Sequence, residues 1–295
     1  MLKRVLGVVL LIVAAAGGFV WYRLGRVDVE RVREDLYMLT GIGGNVGVLV
    51  TGEGVVVVDT MTVVRQGDAI LRRVRELTDK PVVAILNTHY HLDHTHGNPA
   101  FRPGTKVIAT GRTLQHLRER DGEYWRNSPA RDLLPNVTFD ATHEFRLGGR
   151  TIRAHHLGRG HTDGDLVVLF VEDRVLQAGD LFFNGHFPNI DLEAGGSVRE
   201  WPATLERALA LDFDTVIPGH GPLSDRPGMR RFRQFVSSLW SQTRTVADRG
   251  GSLEQAIEVV DIEHFGLRVI WWYPVLNRAF VIRRAYEEAR GRPAR

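Results

Sequence analysis

Short apolar runs, broken by segments with helical spacing, recur along most of the chain. Runs that are rich in Val, Ile and Leu and that begin and end near Gly, Pro or Asn are typical of β-strands. They predict strands over residues 35–40, 46–50, 55–59, 82–86, 106–110, 137–139, 144–147, 151–157, 166–171, 174–177 and 215–217. Apolar residues spaced three or four apart predict helices over residues 67–80, 112–120, 202–211, 228–249, 253–260 and 268–290. Many strands with interleaved helices indicate a layered α/β architecture.

Two stretches between these elements carry local signals of their own. Ser252 and Gln255 have the spacing of a capping box, which predicts a helix start at this point. Residues 121–136 are polar and contain prolines, so we expect a loop or a lid there.

The first residues differ from the rest because the run from Val5 to Tyr22 contains no charge. As a helix at about 1.5 Å per residue it would span roughly 27 Å, close to a hydrocarbon core of about 30 Å. Trp21 lies where an interfacial aromatic belt is expected. We therefore expect an uncleaved membrane anchor through residues 5–22, with the folded part extracytoplasmic (periplasmic). The alternative is a signal peptide cleaved near Ala14–Ala16, which would leave a secreted protein.

Four potential metal ligands lie within six residues directly after the predicted strand 82–86. They follow the pattern His-x-His-x-Asp-His at His89, His91, Asp93 and His94. Buried without a metal, such a cluster would leave many polar atoms unpaired. Imidazole and carboxylate ligands together suit zinc, iron or manganese. The motif therefore predicts a metal site at the end of a strand.

Three later polar residues also follow predicted strands, and each has glycine beside it. They are His161, Asp180 and His220. Glycine lets the backbone approach a ligand cluster closely. Each residue alone would be a weak signal, but the series after a His-x-His-x-Asp-His motif is specific.

Composition narrows the chemistry further. The 295 residues are 43% hydrophobic and 25% charged, which is ordinary for a globular protein. Because the chain has no cysteine, disulfides, thiolate metal ligands and a cysteine nucleophile are excluded. We find no Gly-x-Ser-x-Gly motif either, so the sequence gives no sign of a serine nucleophile.

This full set of motifs, from about Leu36 to about Pro222, resembles the metallo-β-lactamase fold superfamily. The resemblance implies an α/β fold, a four-layer αββα sandwich with two metal ions at one edge. The ligands that it implies are His89, His91 and His161 for the first metal, Asp93, His94 and His220 for the second, and Asp180 as a bridge between them.

The resemblance also suggests how the chain is divided. We expect an anchor or signal segment at residues 1–27, a metallo-β-lactamase-like catalytic domain at 28–225, and a helical C-terminal extension at 226–295 packed on that domain. Asp59 matches a position that commonly supports the metal loop, although a strand-end turn residue is an equal alternative. Candidates for lining the pocket are Phe183, His186, Phe187 and Trp201, and packing in the core is an equal alternative for each.

The function implied is that of a binuclear metallohydrolase with two Zn²⁺, iron or manganese being possible replacements. Two metals about 3.5–4 Å apart would hold a bridging hydroxide that attacks the substrate. Asp93 and Asp180 are the catalytic candidates, because they would hold that hydroxide in line. A bridging aspartate resembles the glyoxalase II and lactonase branches, whereas β-lactamase branches typically lack it and one has Cys there.

The expected substrate is an ester, thioester or lactone of a small molecule. β-Lactam hydrolysis is one alternative, and an iron-dependent oxidoreductase or binding protein on the same fold is another. Nucleic acid is not an expected partner, and the sequence does not indicate an oligomeric state.

Overall fold

Two β-sheets lie face to face in the structure, a computed structural model that describes residue 15, residues 17 and 18, and residues 20–291. The first sheet contains seven strands in chain order: β1 (Asp28–Arg31), β2 (Leu36–Thr40), β3 (Val46–Thr51), β4 (Gly54–Val58), β5 (Val82–Leu86), β6 (Lys106–Thr110) and β7 (Val137–Phe139). Strands β1 to β4 are antiparallel, and β4 to β7 are parallel. The carboxyl ends of β4, β5 and β6 therefore meet at one edge.

The second sheet has six strands in the order β13-β12-β11-β10-β9-β8. They are β8 (Thr142–Leu147), β9 (Arg150–His155), β10 (Val167–Phe170), β11 (Val175–Gln177), β12 (Thr215–Ile217) and β13 (Ser224–Asp225). Only β11 and β12 run parallel, with Leu176 paired to Val216. The segments that follow these two strands consequently leave the sheet at the same edge.

Helices cover the outer faces of both sheets. The described α-helices are α1 (Val64–Leu77), α2 (Leu92–Thr95), α3 (Gly111–Glu119), α4 (Gly122–Trp125), α5 (Trp201–Leu209), α6 (Arg226–Asp248), α7 (Leu253–Val259) and α8 (Arg278–Ala289). Short 3₁₀ helices occur at Asn98–Ala100, Arg131–Leu133, Gly179–Leu181, Leu192–Ala194 and Glu263–Phe265.

Strand β4 shows why the sequence forms layers. Its valines are all buried, because side chains alternate between the two faces of a strand and both faces are covered. Val56 and Val58 pack between the two sheets, whereas Val55 and Val57 pack toward the outer layer that contains α1. On the far side, the second sheet packs against α5 to α8. The αββα sandwich expected from the sequence is confirmed.

The residues after 225 share a hydrophobic core with the second sheet. Phe232 and Phe235 of α6 belong to the same buried cluster as Leu176 and Val216. The capping box at Ser252 is present and begins α7, as predicted. One hydrophobic core therefore includes residues on both sides of residue 225. The division of the chain into domains at this residue remains a prediction.

The last helix begins later than predicted. The apolar spacing predicts a helix over 268–290, but α8 begins only at Arg278. Pro274 disfavours helical backbone at the residue before it, and the Asn277 side chain accepts a hydrogen bond from the Phe280 amide, which caps α8. Residues 266–277 are therefore an irregular segment, and this segment lies over the site described below.

The predicted loop or lid at residues 121–136 is packed against the fold. It contains α4 and a 3₁₀ turn, and Trp125 and Leu133 are almost completely buried. The polar residues that suggested a loop lie around these two buried side chains in the sequence. The edge strands β1 and β13 were not predicted, because β1 is polar and exposed and β13 is only two residues long.

The predicted membrane anchor at residues 5–22 lies largely outside the described residues. Within the described part of the chain, no helix combines the length and the apolar character that crossing a membrane requires.

Candidate metal centre

Loops from both sheets bring the seven predicted ligand residues together. His89, His91, Asp93 and His94 follow β5, the last two within the one-turn helix α2. The remaining three come from the second sheet: His161 between β9 and β10, Asp180 in the 3₁₀ turn after β11, and His220 after β12. Strand ends at adjoining edges of the two sheets thus converge on one point.

The ligand atoms form two groups. One group contains His89, His91, His161 and Asp180, and the other contains Asp93, His94 and His220; within each group the ligand atoms lie within 4.8 Å of one another. We call His89, His91 and His161 the three-histidine group, and Asp93, His94 and His220 the aspartate group.

Asp180 lies between the two groups. Its Oδ2 is 3.8 Å from His89 Nε2 and 3.6 Å from His161 Nε2. Its Oδ1 is 3.1 Å from His94 Nε2 and 3.4 Å from His220 Nε2. Each carboxylate oxygen therefore faces a different group.

Close backbone packing fixes this carboxylate. A Cβ added at Gly219 would lie 2.1 Å from Asp180 Oδ1, so any other residue would displace the carboxylate. Glycine at this strand end has the role that the sequence suggested, because it allows the backbone to approach the ligands.

The outer ring nitrogens of two histidines have acceptors outside the cluster. His91 Nε2 lies 2.9 Å from Asp191 Oδ2, and His161 Nδ1 lies 3.0 Å from the Asn189 carbonyl oxygen. Since these oxygens only accept, each histidine places its ring proton there. The nitrogens that face the site, His91 Nδ1 and His161 Nε2, are then lone-pair donors, and they lie 2.7 Å apart.

The other two histidines of the motif are held by Asp59. The Asp59 carboxylate accepts from the Thr88 amide at 2.8 Å, from the Thr88 hydroxyl at 2.7 Å and from His94 Nδ1 at 2.8 Å. Because the Thr88 proton points to Asp59, its oxygen accepts from His89 Nδ1 at 3.1 Å. His89 and His94 therefore also present Nε2 to the site. Asp59 thus makes the supporting contacts that were one of its two expected roles.

Charge distribution differs between the groups. Burial, with His94 nearby, holds the pKa of His89 well below its usual value. Burial and neighbouring His91 lower the pKa of His161 to about 4. Around His220, burial would lower the pKa, but Asp180 and Asp93 outweigh it and raise the pKa to about 9. His89 and His161 are therefore neutral at pH 7.

The carboxylates show the reverse balance. For Asp93, burial alone would raise the pKa, yet His94 and His220 outweigh it and lower the pKa to about 2. Burial alone would also raise the pKa of Asp180. His220, His94 and His89 outweigh this effect and hold the pKa well below its usual value. Both aspartates are therefore ionised.

The chemistry of these donors fits a metal ion. His89 Nε2 is buried and has no hydrogen-bond partner among the described residues, and two lone pairs face each other across 2.7 Å between His91 and His161. A cation among these atoms would satisfy all of them at once. Imidazole nitrogen with carboxylate oxygen is a typical zinc donor set. The residues thus fit the group that the sequence predicts.

A cavity of about 320 Å³ opens over the cluster. His91, Asp93, Asp180 and His220 line one side of it, and the other side is apolar. Phe183 lines this cavity, which was one of its two expected roles. His186 and Phe187 do not line it, and Trp201 is fully buried and donates its indole N–H to the Leu181 carbonyl.

A family model described as the metallo-beta-lactamase superfamily matches residues 39–220, more than half of the chain. The chain belongs to the metallo-beta-lactamase superfamily. The cluster and the family together indicate a metal site in a hydrolytic enzyme of this superfamily.

Relatives within the superfamily are of two kinds. The chain is 25% identical over 213 residues to the metallo-beta-lactamase type 2 of Bacillus sp. (strain 170), which covers 68% of this chain and 79% of that protein. It is 23% identical over 256 residues to the linear primary-alkylsulfatase of a Pseudomonas sp., covering 71% of this chain and 48% of that protein.

Solved structures agree on the fold. A metallo-beta-lactamase from Pontibacter korlensis matches with a TM-score of 0.62 at 22% identity, over 72% of this chain and 99% of that one. The sec-alkylsulfatase Pisa1 from Pseudomonas sp. matches with a TM-score of 0.70 at 18% identity, over 89% of this chain and 50% of that one. Likeness at this level of identity shows the fold alone.

Sequence analysis missed several residues that shape the site. Asp191 holds His91, accepts from the Tyr90 hydroxyl, and caps the Leu192–Ala194 turn through the Ala194 amide. A single aspartate in an irregular loop carries no spacing signal. Trp272 and Tyr273 were missed because they lie within the segment that the apolar spacing assigned to a helix.

Proposed function

We propose that the protein is a binuclear metal-dependent hydrolase that cleaves an ester, thioester or lactone of a small molecule. The observation that carries this proposal is the position of Asp180, whose two oxygens face different ligand groups. A carboxylate that contacts both groups suits two cations close together. We propose zinc for both, with iron or manganese as possible replacements.

The roles of the residues follow from their contacts. Metal ions bound here would activate water at neutral pH and polarise the substrate oxygen. Asp93 and Asp180 are ionised and face the cluster, so we assign them to orient that water and accept its hydrogen bonds. His89, His91 and His161 would hold one ion, and Asp93, His94 and His220 the other, with Asp180 between them. The apolar side chains of the cavity would displace water from the substrate that lies against them.

β-Lactam hydrolysis is the second candidate. The metallo-beta-lactamase among the named relatives favours it, since two thirds of this chain aligns with that protein over most of its length. Asp180 favours the ester, thioester and lactone class instead, because it resembles the bridging aspartate of the glyoxalase II and lactonase branches. An iron-dependent oxidoreductase or binding protein would use the same donors, and the iron-loaded chain would then hydrolyse none of the substrates tested below.

The test is a panel assay on the purified full chain loaded separately with zinc, iron and manganese. Lactones, thioesters, simple esters, phosphodiesters and a chromogenic cephalosporin should be compared by kcat/KM, beside elemental analysis of each preparation. We expect about two zinc ions per chain and the highest kcat/KM on an ester, thioester or lactone. One metal or none after loading and desalting would reject the binuclear proposal. A preference for the cephalosporin would favour the second candidate.

We also propose that residues 5–22 hold the protein in a membrane with the catalytic part extracytoplasmic. The support is the uncharged run of the sequence with Trp21 and Tyr22 at its end. Carbonate extraction of membranes from cells that express the full chain should leave it in the pellet. Release into the soluble fraction, or an intact mass that lacks the first residues, would contradict the anchor.

A further inference from the structure

The cavity over the ligand cluster has one mostly apolar wall without charged side chains. Leu92 and Phe183 form part of it, and four side chains come from the irregular segment before α8: Ile270, Trp272, Tyr273 and Leu276. We call residues 270–276 the apolar wall segment. About 320 Å³ of space between it and the ligand residues is enough for a small organic group.

This segment is fixed at both ends. The Arg268 amide donates to the Gly185 carbonyl at 3.0 Å, and the Phe187 amide donates to the Arg268 carbonyl at 3.0 Å. Ile270 and Leu276 are buried, with 5% and 1% of their surface exposed. The Trp272 ring lies 5.8 Å from that of His220 and stacks with Tyr273. The apolar surface is therefore built next to the ligand cluster.

The charges of the cavity are all on the opposite side. None of the described residues that line the cavity is Lys or Arg. Its carboxylates, Asp93 and Asp180, lie with the histidines on the side of the ligand cluster. A carboxylate on the part of a substrate that lies against the apolar wall would have no cationic partner and would lose its hydration. Burial of uncharged hydrocarbon against the wall instead stabilises the complex.

Resting on the function proposed above, we propose that the substrate is a neutral ester or lactone with an aliphatic acyl chain, which lies against the apolar wall segment. Its acyl carbon then lies over the ligand cluster. In hydrolysis the water oxygen bonds to this carbon and the acyl C–O bond breaks. The leaving oxygen takes up one proton of the water, and the other proton is released to solvent. The products are a carboxylate and an alcohol, joined in one molecule when the substrate is a lactone.

Chain length gives the first test. The zinc-loaded full chain is assayed with 4-nitrophenyl esters from acetate to octanoate, in one fixed concentration of non-ionic detergent. Each methylene that is buried against the wall should raise kcat/KM roughly fourfold until the cavity is full. A flat profile on an active enzyme would reject the proposed substrate class.

Two neighbouring tryptophans provide a matched pair of variants. Trp272 lines the cavity, whereas 65% of the Trp271 surface is exposed and it does not line the cavity. Trp272→Ala should lower kcat/KM for the octanoate at least tenfold more than for the acetate. Trp271→Ala should leave the ratio of the two esters unchanged. Equal effects of the two changes would show that the wall does not bind the acyl chain.

Charge gives an independent test. The mono-4-nitrophenyl ester of adipic acid has the same acyl length as the hexanoate but ends in a carboxylate. We expect at least a tenfold lower kcat/KM for it. Tyr273→Lys, at a residue that is 43% exposed, places a cation at the wall and should reduce this difference. A wild-type preference for the adipate would overturn the proposal.

Binding without hydrolysis separates this inference from the proposed function. Calorimetric titration with neutral 2-alkanones from butanone to decanone should show affinity that rises with length in the wild type and in Trp271→Ala, but not in Trp272→Ala. This length dependence without hydrolysis of any ester would support the apolar site and reject the ester hydrolase. Ester hydrolysis with no length dependence in either assay would reject the apolar site and keep the hydrolase.

Discussion

The two ligand groups are chemically unlike. In the three-histidine group every ring proton has an acceptor outside the cluster, and the pKa of His161 is lowered to about 4. In the aspartate group, Asp93 lies 3.3 Å from His220 Nε2, and the pKa of His220 is raised to about 9. In the first group His89 and His161 are neutral donors, whereas in the second Asp180 and Asp93 hold protons on His94 and His220.

This difference shows how a site can order the arrival of two ions. Metal ions bind deprotonated ligands, so protons must leave before a metal can enter. His89 and His161 of the three-histidine group need no such loss at pH 7, whereas His94 and His220 do, because their pKa values are raised by Asp180 and Asp93. We therefore expect the three-histidine group to fill first. Asp180, which contacts both groups, links the two steps.

Removing the Asp180 carboxylate should have the largest effect. We expect Asp180→Asn to bind less than half of the wild-type metal at equal free zinc and to lower kcat/KM by more than about 100-fold, since exchanges of mere supporting residues cost 10–100-fold. A neutral amide cannot balance two cations. Metal content and kcat/KM on the best panel substrate measure this, with circular dichroism to verify folding.

Asp214→Asn is a suitable control for this exchange. Asp214 is exposed and forms an ion pair with Arg174, and neither residue belongs to a ligand group or supports one. Its loss should therefore change neither metal content nor rate. If Asp180→Asn kept both ions and nearly full activity, Asp180 would only terminate the turn after β11, and the binuclear model would lose its bridge.

Proton release gives the next largest effect. Zinc should displace protons when it enters the aspartate group at pH 7 but not when it enters the three-histidine group. Lowering the pH from 8 to 6 favours protonated His220, whose pKa is about 9, so binding of the second ion should weaken by about tenfold per pH unit for each displaced proton. The first ion should be affected far less, since His161 stays neutral down to about pH 4.

Calorimetric zinc titrations in two buffers of different ionisation enthalpy measure these protons directly. The heat of the second equivalent should depend on the buffer, and that of the first should not. Equal proton release for both equivalents would show that the groups do not differ in protonation.

The supporting carboxylates make different direct contacts. Asp191 contacts His91 of the three-histidine group, whereas Asp59 contacts His94 of the aspartate group and reaches His89 only through Thr88. An amide at Asp191 can donate to His91 Nε2, which moves the imidazole proton to the nitrogen that faces the site. The same exchange at Asp59 acts on His94 Nδ1. We expect Asp191→Asn and Asp59→Asn each to lower the affinity for one ion by 10–100-fold.

Because the direct histidine contacts of the two carboxylates lie in different groups, the exchanges should combine nearly additively in the double variant, apart from the link from Asp59 to His89 through Thr88. Affinities from chelator competition, at constant pH, test this. Strong coupling between Asp59 and Asp191 would mean that both act on one ion, and the division into two groups would then be wrong.

The contrast between the groups also shows what the sequence could reveal. The ligands were predictable, because their types and their positions after strands are dictated by metal chemistry and by the way parallel strands end at one edge. The layers were predictable for a related reason. A strand such as β4, with four consecutive buried valines, requires cover on both faces.

Other parts depend on contacts between distant residues. Asp191 lies 100 positions from His91, and no local pattern connects them. The apolar wall segment has the apolar spacing of a helix, and only Pro274 and the cap at Asn277 show that the helix begins later. Tertiary packing therefore decides the supporting residues and the substrate side of the cavity, which sequence periodicity does not record.

The smallest effect should come from Tyr90, which acts on the three-histidine group through Asp191. Burial would raise the pKa of Asp191, but hydrogen bonds from His91 and Tyr90 outweigh it and hold the pKa well below its usual value. Tyr90→Phe removes one of these bonds, and it keeps the aromatic ring that packs at 4.4 Å from the His91 ring. The Ala194 amide still donates to Asp191 at 2.9 Å, so the carboxylate keeps its place.

We therefore expect Tyr90→Phe to weaken the first ion by less than about tenfold, below the range for loss of a supporting carboxylate. Tyr286→Phe is the matched control, because its hydroxyl donates to the Gly251 carbonyl and touches neither ligand group. Chelator competition on both variants measures the difference. An effect of Tyr90→Phe as large as that of Asp191→Asn would mean that the hydroxyl, rather than the His91 contact, sets the position of the carboxylate. The tautomer of His91 would then depend on Tyr90 as much as on Asp191.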